Sequence, residues 1–188
     1  MNAIIELLRK KAAFSTKEFL SMIKRAGYGR VLLYRLKEKK IIVPIKNGWW
    51  AFPNSLPEAI ACEMSKPCYL SFHTALFLHG LTTQSPRTIQ LAVARKSKKY
   101  SILGSVVNEY KIKKEQFQKF YRKDNLLLAT PEKAFSDAIH LPRSCPDIVL
   151  FEAMGSIDLV LVEALLSSKA AKKRLKRLIK NARSQRTE

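Results

Sequence analysis

Acidic residues are scarce in this 188-residue chain. Fifteen Asp and Glu face 35 Lys and Arg, which leaves a formal net charge of +20. A solvated surface does not need such an imbalance, so a polyanion is the natural partner: nucleic acid first, an anionic membrane surface second. Cysteine is scarce too. Cys62, Cys68 and Cys145 are odd in number and form no C-x-x-C, which excludes a disulfide framework and argues against a zinc site. That usage fits a reduced, cytoplasmic setting. Long apolar runs are missing. The run Ile157–Leu166 is broken by Asp158 and Glu163 and falls short of the roughly 20 residues that span a bilayer. No long apolar stretch marks a secretory signal near Met1. The expectation is therefore a protein outside the membrane.

Catalytic constellations are equally thin. Of the three histidines, His73 and His79 lie six apart, about 600° around a helix, so they point to different sides and cannot chelate one metal together. There is no Gly-rich phosphate loop, no G-x-S-x-G and no H-E-x-x-H. Glu132, Lys133 and Asp137 form the one tempting charged set. Glu132 falls in a first helical turn, where an acid suits the dipole, and Lys133–Asp137 reads as a surface i, i+4 ion pair. No metal, cofactor or enzymatic activity is expected. The rival reading, a nucleic-acid-modifying enzyme or its accessory subunit, would need Glu132, Asp137 and His79 together in an open cleft.

What the chain does have is a hydrophobic content of 47%, enough for one domain or two small ones, and an uneven spread of charge. Residues 1–53 carry twelve basic side chains against three acidic, residues 54–166 fourteen against eleven, and residues 167–188 nine against one. The basic character sits at both ends of a nearly balanced middle. Two segments suited to nucleic acid thus flank a region with another task.

Periodicity divides the chain near "FPNSLPEA", 52–59. Before it, Ile4, Ile5, Leu8 and Ala12 share a helical face. Ser15 and Glu18 form an S-x-x-E capping box for a second helix. "RAGYG", 25–29, reads as a turn, and a third helix runs from about Arg30 to Lys39. A hairpin follows: strands over 41–45 and 49–52 around Lys46-Asn47-Gly48. That order is the order of a winged helix-turn-helix, assigned to 1–53. After the boundary, 54–188 reads as a mixed α/β domain. Helices are expected over 57–65 and 71–79, and strands over 88–94 and 105–112. A hairpin over 118–129 turns at Asp124-Asn125. Thr130, Pro131 and Pro142 bound a strong helix over 130–141. Closing helices span 147–154, 157–167 and 168–183. The predicted fold class is α+β, with a small sheet and a helical C-terminal end.

The third helix is the candidate reader. Arg30, Tyr34 and Lys37 recur at i, i+4 and i+7 on one face, with Leu32 and Leu36 opposite and Leu33 between. A helix with an apolar back and a polar front is what the major groove admits, and arginine paired with guanine is its commonest specific contact. Arg30, Tyr34 and Lys37 are the expected base readers. Arg35, Lys39, Lys40 and the hairpin's Lys46 are the expected phosphate contacts. Trp49 and Trp50, consecutive in a strand, point to opposite faces, so one should be core and the other partly exposed beside the wing. The same layout also serves protein-binding adaptors. At the other end, 168–186 is amphipathic. Ala171, Leu175, Leu178 and Ala182 form its stripe, and Lys172, Lys173, Lys176, Arg177 and Lys180 offer a possible second nucleic-acid contact.

Two blocks connect the pieces. "YLSFHTALFLHGL", 69–81, reads as a buried helix with Ser71 as cap and Gly80 as stop. "TPEKAFSDA", 130–138, opens the strong helix. Tyr69, Ser71, Ala75, Leu76, His79, Gly80 and Leu81, followed by Thr130, Pro131, Glu132, Lys133, Ala134 and Asp137, resemble the motifs of AbiEi-type antitoxins, transcriptional regulators of viral defence systems. The resemblance covers most of residues 1–140 and leaves the closing helices and basic tail unmatched. It implies a non-enzymatic protein of a type IV toxin–antitoxin system. Such a protein represses its own operon by binding inverted repeats in double-stranded DNA. Its second domain counters a nucleotidyltransferase-type toxin without forming a stable complex.

Overall fold

The computed structural model describes residues 2–23, 26–46, 48–124 and 126–184. Helix α1 spans Asn2–Arg9 and buries Leu8. Three residues, Ala13–Ser15, then form strand β1, too short for the sequence pattern to reveal. Ser15 caps helix α2, Thr16–Ser21, by accepting the Glu18 N–H at 3.1 Å. Glu18 does not complete the capping box, because its carboxylate pairs with Lys11 instead.

Helix α3 covers Ala26–Glu38, so it starts four residues before the expected position. Of the "RAGYG" turn, Arg25 lies outside the described residues and the rest is helical. Gly29 explains why glycine sits there: a β-carbon would fall 2.5 Å from Leu20 Cδ2, so its absence lets α2 and α3 approach. The helix ends when Ile41 N–H bonds Leu36 C=O at 3.0 Å and Lys40 N–H bonds Lys37 C=O at 2.8 Å. This is a Schellman closure with Lys40 in the left-handed conformation, φ +54°. Strands β2, Val43–Lys46, and β3, Trp49–Ala51, pair antiparallel and make a sheet of order β1-β3-β2. Asn47 of the expected turn lies outside the described residues, and Gly48 has φ +76°.

That sheet faces two cores. On one side Phe14 joins Leu8, Phe19, Leu32, Leu33, Leu36 and Ile42. On the other, Ala13 and Ala51 join the core of the following residues. Trp50 packs toward the first core and Trp49 toward the second. Both tryptophans are half-buried, so one is partly exposed as expected, while the other is not the fully buried core residue that was expected. The reason is that each face of the sheet is covered.

Beyond the sheet come helix α4 (Pro57–Met64), strand β4 (Cys68–Leu70) and helix α5 (Phe72–Leu78). Strands β5 (Ile89–Val93), β6 (Lys98–Ile102), β7 (Ser105–Lys111), β8 (Phe120–Lys123) and β9 (Leu126–Ala129) follow. The chain then continues through α6 (Pro131–His140), α7 (Asp147–Met154), α8 (Leu159–Leu165) and α9 (Lys169–Ser184). The six strands form one sheet, β6-β7-β5-β4-β9-β8, with β5/β7 and β4/β9 parallel. It is larger than the expected small sheet, because β4 and β6 gave no alternating pattern. β6 is a lysine-bearing edge, a composition that discourages pairing with other chains. The fold class is α+β, as the sequence predicts. Thr130 caps α6, accepting the Lys133 N–H at 3.3 Å. Asn125 of the expected turn lies outside the described residues, and Asp124 beside it has φ +52°.

Candidate nucleic-acid interface

On α3 the leucines Leu32, Leu33 and Leu36 turn inward and are buried. Arg30, Arg35, Lys37, Lys39 and Lys40 are exposed. Tyr34 is 61% exposed and Val31 48% exposed, beside Arg30 on the same face. Tyr28 is exposed one turn earlier. Among the described residues, none of these five cations has a side-chain hydrogen bond or ion pair. The one acid on the helix, Glu38, is also exposed. Tyr28 was missed because the glycines at 27 and 29 suggested a turn, whereas Val31 lay inside the expected helix and was not singled out. A helix drawn from Ala26 would have included Tyr28 on its exposed side.

Lys46 lies elsewhere. Its ammonium sits 5.7 Å from the centroid of the Tyr100 ring, so the hairpin end leans on the six-stranded sheet. Tyr100 belongs to a polar group beneath it. The Ser65 hydroxyl lies 2.7 Å from the Tyr100 hydroxyl and donates to Glu109 at 2.6 Å. Arg95 donates to both oxygens of the buried Glu109, at 3.1 and 3.2 Å. Burial pushes the Tyr100 phenol up to about 12.

The basic C-terminal helix docks by its stripe. Ala171, Leu175 and Leu178 are buried and Ala182 is half-buried, while Lys172, Lys173, Lys176, Arg177 and Lys180 are exposed. The expected span ran to residue 186, and 185–188 lie outside the described residues. Arg174, unremarked in the sequence, anchors this helix. Its guanidinium donates to the carbonyls of Ala138 (2.7 Å) and Ile139 (3.1 Å) at the end of α6, and to Asp147 (2.7 Å). It thereby satisfies carbonyls that a helix end leaves without partners.

The charged set of α6 is internal. Lys133 and Asp137 are an ion pair, but they are 3% and 2% exposed, which corrects the surface pair expected from their spacing. The Tyr69 and Ser71 hydroxyls both donate to Asp137 Oδ2, at 3.0 and 2.7 Å. Ser71 therefore occupies the position before α5 without capping it, since its hydroxyl is committed to Asp137. Burial raises the Asp137 carboxyl above its ordinary value, against the pull of Lys133 and the two hydroxyls. Burial also raises the Tyr69 phenol, which stays a donor.

The histidines act as struts. His73 Nε2 lies 2.8 Å from the Gln84 carbonyl and His79 Nε2 lies 2.8 Å from the Ala129 carbonyl. Gly80 ends α5 at φ +70°, as expected. Burial raises the Cys145 thiol to about 12. Among the described residues no three His, Cys, Asp or Glu side chains gather in a metal-binding group. None of the described helices is long and apolar enough to cross a membrane.

No protein-family model and no curated protein matches the chain. Among solved structures, the fold is similar to that of the RV2827C protein from Mycobacterium tuberculosis, with a TM-score of 0.62 and 15% identity over 96% of this chain and 76% of that one. At that identity the likeness is one of fold.

Proposed function

We propose that this chain is a sequence-specific DNA-binding repressor of the antitoxin type, whose first 53 residues act as a winged helix-turn-helix. The observation that carries this reading is the outer side of α3 and the two residues that follow it: Arg30, Arg35, Lys37, Lys39 and Lys40 are exposed and, among the described residues, make no side-chain hydrogen bond or ion pair, over a back of buried leucines. Arg30 and Lys37 suit guanine edges, Tyr34 extends the same face, and Val31 suits a thymine methyl. Arg35, Lys39 and Lys40 flank the face and suit phosphates. Lys46 suits a phosphate only by leaving Tyr100. The exposed lysines of α9, with Arg177, form a second surface for the same polyanion. The antitoxin role rests on the AbiEi-type resemblance, with a nucleotidyltransferase-type toxin as the functional partner. The motif residues Tyr69, Ser71, Lys133 and Asp137 meet in one buried cluster, so they mark the fold of that domain.

The test is titration of the protein with duplex DNA from upstream of its own gene at several salt concentrations. Affinity should fall steeply with salt, and Arg30→Ala should lose sequence preference at a cost of about 1–3 kcal/mol. Replacing thymine by uracil within the site should weaken the wild type and leave Val31→Ala unchanged. Equal affinity for unrelated duplexes would overturn the repressor reading. Exposed Tyr28, Val31 and Tyr34 favour one second reading, a protein-binding adaptor, and failure to retain DNA at low salt would point to it.

A further inference from the structure

A cleft of about 620 Å³ opens where the N-terminal helices and sheet meet the following domain. Ala12, Ile41, Phe52 and Ala59 are among the apolar residues that line it. Three cations line it, Arg9, Lys11 and Lys40, against one acid, Asp124, from the β8–β9 turn. Lys11 is committed to Glu18. Arg9 lies over the Phe52 ring, 5.9 Å from its centroid, which holds the guanidinium against the cleft wall. Lys40 has no side-chain hydrogen bond or ion pair among the described residues.

Lys40 is also, with Phe72, Leu103, Lys119 and Asp124, one of the non-glycine residues held at positive φ among the described residues. Its φ of +54° places it at the left-handed closing position of α3, where glycine carries no steric penalty and a β-carbon does. The helix dipole favours cations in this neighbourhood, and Lys37 and Lys39 already supply them at ordinary φ. It gives no reason for a side chain at the left-handed position. Backbone strain retained beside a concave cationic surface points to a role for that side chain.

We infer that the cleft is a phosphate site, in which Lys40 and Arg9 grip one backbone phosphate of the DNA read by α3. The strand leaving the reading helix then runs into the joint between the two parts of the chain, and DNA binding ties them together. This inference rests on the DNA-binding reading and adds to it a contact outside the face of α3.

The test uses the full chain, its upstream duplex and two variants, Lys40→Gly and Arg9→Gln. Relief of the left-handed lysine should raise the melting temperature of Lys40→Gly by about 2 °C. The same variant should bind DNA about three- to tenfold more weakly, with a salt slope shallower by about one and sequence preference intact. Arg9→Gln should weaken binding in the same way without the gain in melting temperature. A scan of single methylphosphonate substitutions should find one position, outside the bases read by α3, that weakens the wild type but not Lys40→Gly. If the wild type binds its duplex and both variants keep its affinity and salt slope, the cleft assignment is overturned and the α3 reading stands. Loss of sequence preference in Lys40→Gly would also overturn it, by placing the effect in α3 itself. A wild type that binds no DNA overturns both.

Discussion

On α3, Arg30, Tyr34 and Lys37 are exposed and make no side-chain hydrogen bond or ion pair among the described residues, while under α5 and α6, the polar groups of Tyr69, Ser71, Lys133 and Asp137 are bonded to one another. Each set is polar, and each stands out in the sequence. The difference lies in what burial asks of them. A buried carboxylate must be matched by a cation and hydrogen bonds, and here an ammonium and two hydroxyls meet that demand. An exposed cation is already satisfied by water and can exchange that water for a phosphate at little cost. Distinct motifs therefore mark two things in one molecule: the inner set marks how the domain closes, and the outer set marks where it can meet something else.

The inner set offers the largest effect. Asp137→Ala strands a buried ammonium and should cost about 3–5 kcal/mol, read as a fall in the denaturation midpoint. Replacing both partners, Lys133→Met with Asp137→Leu, should recover much of that loss, because no uncompensated charge remains. Equal loss in the single and double variants would break the comparison, by showing that the hydroxyls of Tyr69 and Ser71 need the carboxylate more than the ammonium does. On the outer face, Tyr34→Ala and Lys37→Ala should change stability by no more than about 0.5 kcal/mol. A large loss in either would mean that this face is internally committed after all, and would remove the reason for reading it as an interface.

The legibility of the two sets followed the same division. Spacing alone identified the leucine back and charged front of α3, because helical period reports which side faces a core. It also paired Lys133 with Asp137. It could not say that the pair was buried, since that depends on Tyr69 and Ser71, more than sixty residues earlier in the chain. The helix α6 was readable from Thr130, Pro131 and Pro142, which act locally. The start of α3 was misread because Gly29 serves a contact with Leu20, a reason invisible in its own neighbourhood. Strands β1 and β4 hold three residues each, too few for alternation, and β6 is rich in lysine as an edge strand. Arg174 and the cleft at Lys40 depend on distant elements meeting, and no local pattern carries that information.

A third polar group sharpens the comparison, because it is exposed and yet committed within the chain. The Glu152 carboxylate accepts from the Thr82 hydroxyl at 2.6 Å, the Thr83 N–H at 3.0 Å and the Gln84 amide at 3.0 Å. These bonds, the Thr82 hydroxyl first, hold its carboxyl below the ordinary glutamate value of 4.5. A carboxyl lowered on folding contributes stability above its unfolded value and loses it as the pH falls through the lower folded value. The melting temperature of the wild type should therefore exceed that of Glu152→Gln at neutral pH, and the gap should close as the pH is taken down through the carboxylate range. The effect should be small, because solvent screens an exposed group. A gap independent of pH would mean that the shape of the side chain, and not its charge, holds the loop at residues 82–84. Exposure would then separate interface from scaffold less well than the presence or absence of internal partners, which is the property that singles out α3.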